Sequence, residues 1–231
     1  MNAIILAAGM GTRLRPLTND IPKCLVKVCG TPMVERQIQF LHEAGIRDIT
    51  LVSGYKAERL DYLKAQYGVD IIFNERYDTC NNIWSMVKVL DRFGDSYVLE
   101  GDVYMHRNCL TTEIDKPTYF AKWHDHYDNE WGLEVDGQNC LTRVNIGLGT
   151  GYIMSGISYW PEESATIIKQ RINALVAGGD YTNLFWDNAA IDVLPQMQVV
   201  VKPCNDLYEI DTQAELNTVE SHLLEGRSET E

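Results

Sequence analysis

The stretch Leu6-Ala7-Ala8-Gly9-Met10-Gly11-Thr12-Arg13-Leu14 decides how this chain folds and what it can bind. It follows the apolar run Ala3-Ile4-Ile5, which predicts a β-strand close to the N-terminus. Gly9 and Gly11 carry no Cβ, so the backbone there can adopt positive φ and come close to a ligand. Successive N–H groups in such a turn form a positive concavity, and the guanidinium of Arg13 suits phosphate oxygens. The stretch therefore predicts a strand followed by a phosphate-binding turn.

Two familiar phosphate-binding motifs do not fit this turn. It lacks the Gly-Lys-Ser/Thr ending of a Walker A sequence, and Leu14 stands where the third glycine of Gly-x-Gly-x-x-Gly would be. A turn with two glycines after a strand is equally typical of an ordinary connection between a strand and a helix. The neighbouring sequence must therefore decide between the two interpretations.

Residues 1 to about 103 alternate between strand-like and helix-like segments. Strands are predicted at the N-terminus and at Ile49–Val52, Val69–Phe73 and Tyr97–Leu99, and helices at about 32–44, 57–67 and 83–93. Strands separated by helices of about ten residues are typical of βαβ crossovers. This half therefore predicts an α/β fold with a mostly parallel sheet covered by helices on both faces.

The second half is richer in β-structure and resembles an antiparallel insertion. Strands are predicted at 118–124, 133–135, 141–146, 151–160 and 198–202, and helices at about 163–176, 183–193 and 212–224. No composition break marks a linker. We therefore expect a single domain over 1–231, with a first half at 1–103, a β-rich second half at 104–225 and a frayed polar tail at 226–231.

Composition and charge exclude several classes of protein. The formal net charge of −13, from 33 acidic and 20 basic residues, argues against a nucleic-acid partner, which requires a cationic face. No apolar run approaches the roughly 18 residues of a membrane span, so we expect no membrane insertion. The six cysteines show no Cys-x-x-Cys pair, and no secretory signal is apparent. We expect a cytoplasmic protein with reduced cysteines.

Two acidic residues are candidates for a Mg²⁺ site. Asp102 follows a strand of the predicted parallel sheet, at the edge where open α/β sheets bind their ligands. Asp187 follows two bulky aromatic residues in the second half. Two converging carboxylates would supply the oxygen ligands that Mg²⁺ prefers. The alternatives are a turn residue for Asp102 and a helix N-cap for Asp187.

Aromatic residues in the second half are candidates for binding a quaternary ammonium group. Trp131 follows Asn129-Glu130, and Phe185-Trp186 precedes an aspartate, so ring faces and carboxylates are close in sequence. Ring faces near a negative charge bind cations such as trimethylammonium. Trp160 is a further candidate, although core packing is the more common role of any single aromatic residue.

Together these segments resemble the sugar-phosphate nucleotidyltransferase superfamily. The resemblance rests on Leu6–Leu14, on Pro22-Lys23-Cys24-Leu25 and on the order of Asp102 and Asp187, and it extends over essentially the whole chain. Within the superfamily the chain is most similar to the bacterial CTP:phosphocholine cytidylyltransferases. The residues that carry this second resemblance lie in Asn129-Glu130-Trp131, 152–160, Phe185-Trp186-Asp187-Asn188 and Tyr208-Glu209-Ile210-Asp211.

The resemblance implies a Rossmann-like nucleotidyltransferase fold, with a nucleotide-binding half at 1–103 and an acceptor-binding half at 104–225. It implies a reaction in which an acceptor phosphate attacks the α-phosphorus of CTP. It implies that Arg13 and Lys23 neutralise phosphates and that Asp102 and Asp187 hold Mg²⁺. The implied nucleotide-binding residues are Leu6, Ala7, Ala8, Gly9, Met10, Gly11, Thr12, Asn81, Asn82, Ser85, Glu100 and Gly101. The implied acceptor-binding residues are Trp131, Trp160, Phe185, Trp186 and Glu209.

Other functions remain open at the level of sequence. Phe185 stands where the family leads us to expect tyrosine, and both ring faces and hydrogen-bond acceptors are available. The acceptor can therefore be phosphocholine, phosphoethanolamine or 2-aminoethylphosphonate. A sugar-1-phosphate nucleotidyltransferase and a non-catalytic nucleotide-sensing module are the further alternatives, and a homodimer is compatible with each of them.

Overall fold

A computed structural model describes residues 1–228, with side chains described to residue 225. The strands are β1 (Asn2–Ala7), β2 (Lys27–Val28), β3 (Thr31–Pro32), β4 (Ile49–Ser53), β5 (Asp70–Phe73), β6 (Ser96–Glu100), β7 (Val103–Met105), β8 (Thr118–Val135), β9 (Leu141–Trp160), β10 (Val200–Pro203) and β11 (Leu207–Glu209). The helices are α1 (Met33–Glu43), α2 (Tyr62–Tyr67), α3 (Ile83–Val87), α4 (Glu162–Gly178), α5 (Trp186–Asp192) and α6 (Gln213–Ser228).

Seven strands form one mixed sheet in the order β10-β8-β9-β6-β1-β4-β5. The pairs β1–β4, β1–β6, β4–β5 and β10–β8 are parallel, whereas β6–β9 and β8–β9 are antiparallel. The predicted fold, a mostly parallel sheet flanked by helices with a β-rich second half, is confirmed. Strands from both halves of the chain belong to this single sheet.

The central strand β1 is buried on both faces, and its sequence shows why. Ala3 and Ile5 pack into the hydrophobic cluster on the α1 face of the sheet, while Ile4 and Leu6 pack into the cluster on the opposite face, with α3, α4 and α5. Successive side chains of a strand point to opposite faces, so a continuous apolar run is suited to a strand covered by helices on both sides.

The β-rich half differs from the prediction in one respect. The predicted strand pairs 118–124 with 133–135 and 141–146 with 151–160 are each one long strand, β8 and β9, which form a hairpin arm. Most residues at 125–130 are polar and several are exposed, so their sequence predicts a break. Backbone hydrogen bonds to β9 keep this segment in the strand, because ladder hydrogen bonds do not require buried side chains.

Several helices also differ in length from their predicted bounds. α3 ends at Val87 rather than near 93, and the predicted helix at 57–67 is a 3₁₀ turn, Ala57–Leu60, followed by α2. The backbone of α6 continues to Ser228, past the predicted end at 224. The predicted frayed tail at 226–231 therefore begins inside this helix, and its last three residues lie outside the described part of the chain.

Among the described residues, no helix is both long enough and apolar enough to cross a membrane.

Close backbone approach at the end of β4 holds the glycine-rich loop in place. The N–H of Tyr55 donates a hydrogen bond to the carbonyl of Ala8 at 3.0 Å. A Cβ on Gly54 would lie 2.5 Å from the Tyr77 Cβ and 2.7 Å from the Ala8 carbonyl oxygen. Since both neighbours are fixed atoms rather than the ends of flexible side chains, only glycine fits at position 54 without a backbone shift.

We expect Gly54→Ala to lower the free energy of unfolding by about 1–3 kcal/mol, the usual cost of overpacking. Urea denaturation followed by circular dichroism measures this change. The matched control is Gly137→Ala, because a Cβ on Gly137 meets nothing within 4 Å. Equal midpoints for the two variants would contradict the close approach.

Candidate active site

A cleft lies at the carboxyl edge of β1 and β6. It encloses about 550 Å³ of space that is open to solvent. Its walls are formed by Leu6, Ala7, Ala8, Gly9, Lys23, Cys24, Asn74, Tyr77, Cys80, Asn82, Ser85, Glu100, Gly101 and Asp102. Ligands bind at this edge in open α/β sheets, where the loops after parallel strands converge.

Most of the residues implied in nucleotide binding line this cleft. Met10, Gly11, Thr12 and Asn81 do not. Three further wall residues, Asn74, Tyr77 and Cys80, were missed by the sequence analysis. They lie in the loop between β5 and α3, which no phosphate-binding motif marks.

The glycine-rich loop closes against the segment that carries Lys23. Gly11 adopts a left-handed conformation with φ of 57°, and a Cβ there would lie 2.8 Å from the Cβ of Lys23. The hydroxyl of Thr18 donates a hydrogen bond to the Gly11 carbonyl at 2.7 Å. Both the backbone conformation and the close packing therefore require glycine at position 11. This packing holds the loop against the segment that carries Lys23.

The ammonium group of Lys23 joins carboxylates from two distant parts of the chain. It donates hydrogen bonds to Asp102, which follows β6, and to Asp211, which precedes α6. Burial alone would lower the pKa of Lys23, but the charges of Asp102 and Asp211 and the hydrogen bonds to them outweigh it, so the pKa is raised. Lys23 is therefore a fixed cation. The guanidinium of Arg13 adds a second ion pair with Asp211 at 2.8 Å.

Three carboxylates form a candidate cation site beside Lys23. Oxygens of Asp102, Glu209 and Asp211 lie within 4.8 Å of one another. The pKa of Glu209 is raised, first by its removal from water and then by the charges of Asp102 and Asp211. Carboxylate oxygens are the ligand type that Mg²⁺ prefers.

Asp211 lies two residues before α6, at a point in the chain where an aspartate can cap a helix. In the structure Thr212 takes that role: its hydroxyl accepts the Glu215 N–H at 3.2 Å, and the Glu215 carboxylate accepts the N–H of Thr212 at 2.8 Å. The carboxylate of Asp211 is thereby left to pair with Lys23 and Arg13. The Thr-x-x-Glu spacing of Thr212 and Glu215 is the sequence signal of a capping box, and it could have indicated that Asp211 is available for the site.

Asp187 lies apart from this three-carboxylate cluster. It occupies the first turn of α5, whose N-cap is Phe185, and its carboxylate accepts a hydrogen bond from the Tyr119 hydroxyl at 2.9 Å. Burial raises the pKa of Asp187 to about 7, against the opposing effect of the Tyr119 hydrogen bond. The joint binding of Mg²⁺ by Asp102 and Asp187 remains a prediction.

Glu100 connects the two acidic regions. Its pKa is raised well above the usual range by burial and by the charges of Asp102, Asp187 and Glu209. Glu100 lines the large cleft and also a smaller cavity of about 290 Å³ that Asp187 lines. Carboxyl groups therefore continue from Asp102 through Glu100 towards Asp187, and the raised pKa favours the neutral form of Glu100.

Asn82 fixes Glu100 relative to α5. Its side-chain amide donates a hydrogen bond to the Glu100 carboxylate at 2.9 Å and accepts the backbone N–H of Trp186 at 2.8 Å. Nearby, the hydroxyl of Ser85 accepts a hydrogen bond from Asn74 at 2.9 Å. Asn81 faces the 182–183 segment instead, since its backbone N–H donates to the Thr182 carbonyl at 2.7 Å.

The predicted aromatic residues separate into an accessible pair and a buried pair. Trp131 and Phe185 meet edge to face with ring centroids 5.6 Å apart, and Phe185 is 41% exposed. Trp160 is fully buried and Trp186 is 2% exposed, and their rings pack against each other in the core. In this arrangement Trp160 has no exposed surface with which to contact an acceptor.

A larger cavity of about 960 Å³ adjoins the three-carboxylate cluster. Glu130, Tyr208, Glu209 and Asp211 are among its walls. It combines negative charge with an aromatic ring, but the ammonium of Lys122 already lies 3.7 Å from the centroid of the Tyr208 ring. One face of that ring is therefore occupied by a cation of the protein itself.

Comparison with known proteins is consistent with this geometry. The family model described as nucleotidyl transferase matches residues 2–117. The chain belongs to the nucleotidyl transferase family. Its mixed, mostly parallel sheet flanked by helices is thus the fold of a nucleotidyltransferase.

Relatives within this family align with this chain over nearly its whole length and nearly the whole of their own. The choline-phosphate cytidylyltransferase of Streptococcus pneumoniae is 38% identical over 96% of this chain and 98% of its own length. The 2-aminoethylphosphonate cytidylyltransferase of Lancefieldella rimae is 31% identical over 93% of this chain and 90% of its own length. A solved structure of the CTP:phosphocholine cytidylyltransferase from Streptococcus pneumoniae matches with a TM-score of 0.94, covering 96% of this chain and 98% of that one.

We expect Asn82→Ala to destabilise this nucleotidyltransferase by about 1–3 kcal/mol, because the Glu100 carboxylate and the Trp186 N–H would both lose their partner. The free energy of unfolding from urea titration provides the measurement. Asn205→Ala serves as the control, since Asn205 is exposed in the turn between β10 and β11. A stability loss no larger than that of the control would show that Asn82 does not hold α5 against Glu100.

Proposed function

We propose that this protein is a cytidylyltransferase that transfers CMP from CTP to phosphocholine, giving CDP-choline and pyrophosphate. The observation that carries the proposal is the convergence of the loop at Leu6–Gly9, Lys23 and Asp102 on one cleft. The accessible Trp131–Phe185 pair supports a trimethylammonium acceptor. The identity to choline-phosphate cytidylyltransferases over nearly the whole chain supports the same assignment.

In the proposed reaction the chain aligns two phosphates and balances their charge. A phosphate oxygen of the acceptor attacks the α-phosphorus of CTP, the bond to the bridging oxygen breaks, and pyrophosphate leaves. The acceptor phosphate is already anionic, so no general base is required. Backbone N–H groups of the loop and the cations of Arg13 and Lys23 stabilise the charge that develops, and alignment supplies much of the remaining rate.

We propose Mg²⁺ as the cofactor. Asp102 is its central ligand in this proposal, with Asp187 as the partner implied by the family resemblance and with Glu209 and Asp211 offered by the three-carboxylate cluster. When bound, the metal neutralises phosphate charge and favours departure of pyrophosphate. Without the metal, the positive charges of Lys23 and Arg13 offset the repulsion between Asp102 and Asp211.

The acceptor is the least constrained part of the proposal. Trimethylammonium binds through ring faces and a nearby negative charge, and Trp131 and Phe185 offer the ring faces. A primary ammonium, as in phosphoethanolamine or 2-aminoethylphosphonate, needs hydrogen-bond acceptors. The relative from Lancefieldella rimae, named for 2-aminoethylphosphonate, supports this second candidate.

A screen of pyrophosphate release tests the proposed reaction. Each of the four nucleoside triphosphates is paired with phosphocholine, phosphoethanolamine, 2-aminoethylphosphonate and glucose-1-phosphate, with Mg²⁺ present. We expect the highest kcat/KM with CTP and phosphocholine. Turnover with the sugar phosphate alone would overturn the choline assignment, and no turnover with any pair would favour a non-catalytic nucleotide-sensing module.

We expect removal of divalent metal by EDTA, and the variant Asp102→Ala, each to reduce turnover at least about 100-fold, because charge stabilisation at the phosphates is lost. Pyrophosphate release measures both effects, and added Mg²⁺ restores the EDTA-treated enzyme only. Asp91→Ala is the matched control, as Asp91 is exposed near the opposite edge of the sheet. Near-normal activity of Asp102→Ala would refute the metal assignment.

We expect Trp131→Ala to raise KM for phosphocholine about 10-fold or more while KM for CTP changes little, because a cation–π contact contributes about 1–2 kcal/mol. Steady-state kinetics with each substrate varied in turn separates the two values. Trp123→Ala is the control, since Trp123 lies on the same arm and is paired with Tyr152. If both variants behave alike, the acceptor lies elsewhere.

A further inference from the structure

Two cysteines that are far apart in sequence lie side by side in the fold. The thiol of Cys109 donates a hydrogen bond to the sulfur of Cys204. Both residues are free, partly buried and packed against the same hydrophobic cluster. Each of the two residues keeps part of its surface exposed to solvent.

Backbone hydrogen bonds hold the two segments that carry these cysteines next to each other. Met105 and Leu207 are partners in the antiparallel ladder of β7 and β11. Beyond them, the N–H of His106 donates a hydrogen bond to the Asp206 carbonyl at 2.8 Å. On the other side, the N–H of Cys204 donates to the Ala121 carbonyl of β8 at 2.8 Å. The segments that carry the two thiols are therefore fixed relative to each other.

The hydrogen bond gives the two sulfurs different chemistry. The hydrogen bond from Cys109 lowers the pKa of Cys204, against the opposing effects of burial and of the negative charge of Asp206. The same hydrogen bond, together with burial, raises the pKa of Cys109. Cys204 is therefore the sulfur that ionises more readily, and Cys109 keeps its proton.

We propose that Cys109 and Cys204 form a reversible disulfide when the protein meets a low-molecular-weight disulfide. The Cys204 thiolate attacks one sulfur of the oxidant, so that a mixed disulfide forms and the first thiolate leaves. Cys109 then loses its proton, and its sulfur displaces the second thiolate from Cys204. Two protein thiols are oxidised and the oxidant is reduced to two thiols, which take up the two protons.

This crosslink would join the two strands, β7 and β11, whose other ends lie next to the three carboxylates. Asp102 immediately precedes β7, and Glu209 ends β11, where it pairs with Val103. The two cysteines lie beyond the opposite end of the same pair of strands. A disulfide there joins β7 and β11 covalently without touching a cleft residue, so its formation is independent of the proposed cytidylyltransferase activity.

Oxidation of the reduced full-length protein by glutathione disulfide tests the proposal. We expect two of the six thiols to disappear in a titration with Ellman's reagent under denaturing conditions. Non-reducing peptide mapping by mass spectrometry should show one crosslinked peptide that contains Cys109 and Cys204, and dithiothreitol should remove it. The oxidised protein should unfold at a Tm higher by roughly 5 °C, because the crosslink closes a long loop in the unfolded chain.

Single variants separate this pair from the other cysteines. Cys140→Ser, in the turn of the hairpin arm, should still lose two thiols and form the crosslink. Cys109→Ser and Cys204→Ser should each fail to form it, and the Tm of each reduced variant, compared with that of the reduced wild type, verifies that it folds. Glutathione adducts alone on Cys109 or Cys204, a crosslink between other cysteines, or no loss of thiols would overturn the proposal.

Discussion

The ion pairs of the Lys23 ammonium are the interaction on which the rest of the site depends. They bring together Asp102, from the end of β6, and Asp211, from the start of the last helix. Without a cation between them, these carboxylates and Glu209 would repel one another at the separations that the fold imposes. Lys23 itself is largely buried, and a buried charge is stable only when it is paired. The cation and the carboxylates therefore hold each other in place.

The parallel part of the sheet gives this pairing its location. β1 and β6 run side by side, so the glycine-rich loop and the segment that carries Asp102 leave the sheet at the same edge. The N–H of Gly101 donates a hydrogen bond to the Leu6 carbonyl at 2.8 Å, which extends the ladder to the start of the loop. Backbone donors for an anion thus lie next to carboxylates for a cation. A nucleoside triphosphate with its metal requires both kinds of group in one cleft.

The antiparallel part of the sheet adds surfaces of a different character. β8 carries Trp131 on the hairpin arm, and the segment before α5 carries Phe185, so the accessible ring pair combines two elements that are distant in the chain. Asn82 links α5 back to Glu100 at the edge of the cleft. The position of the ring pair is therefore coupled to the acidic region by hydrogen bonds rather than by chain connectivity.

The sequence by itself determined the parallel core, the glycine turn and the position of Asp102. Apolar runs such as Ala3–Leu6 require burial on both faces, and a glycine with positive φ marks a turn, so both are local signals. The grouping of Glu209 and Asp211 with Asp102, the burial of Trp160 and the contact of Cys109 with Cys204 were decided only by the tertiary structure. Local sequence controls backbone preference and the periodicity of burial. Which charges, rings and thiols meet depends on the pairing of β7 with β11 and of β8 with β9, and no local spacing encodes those long-range contacts.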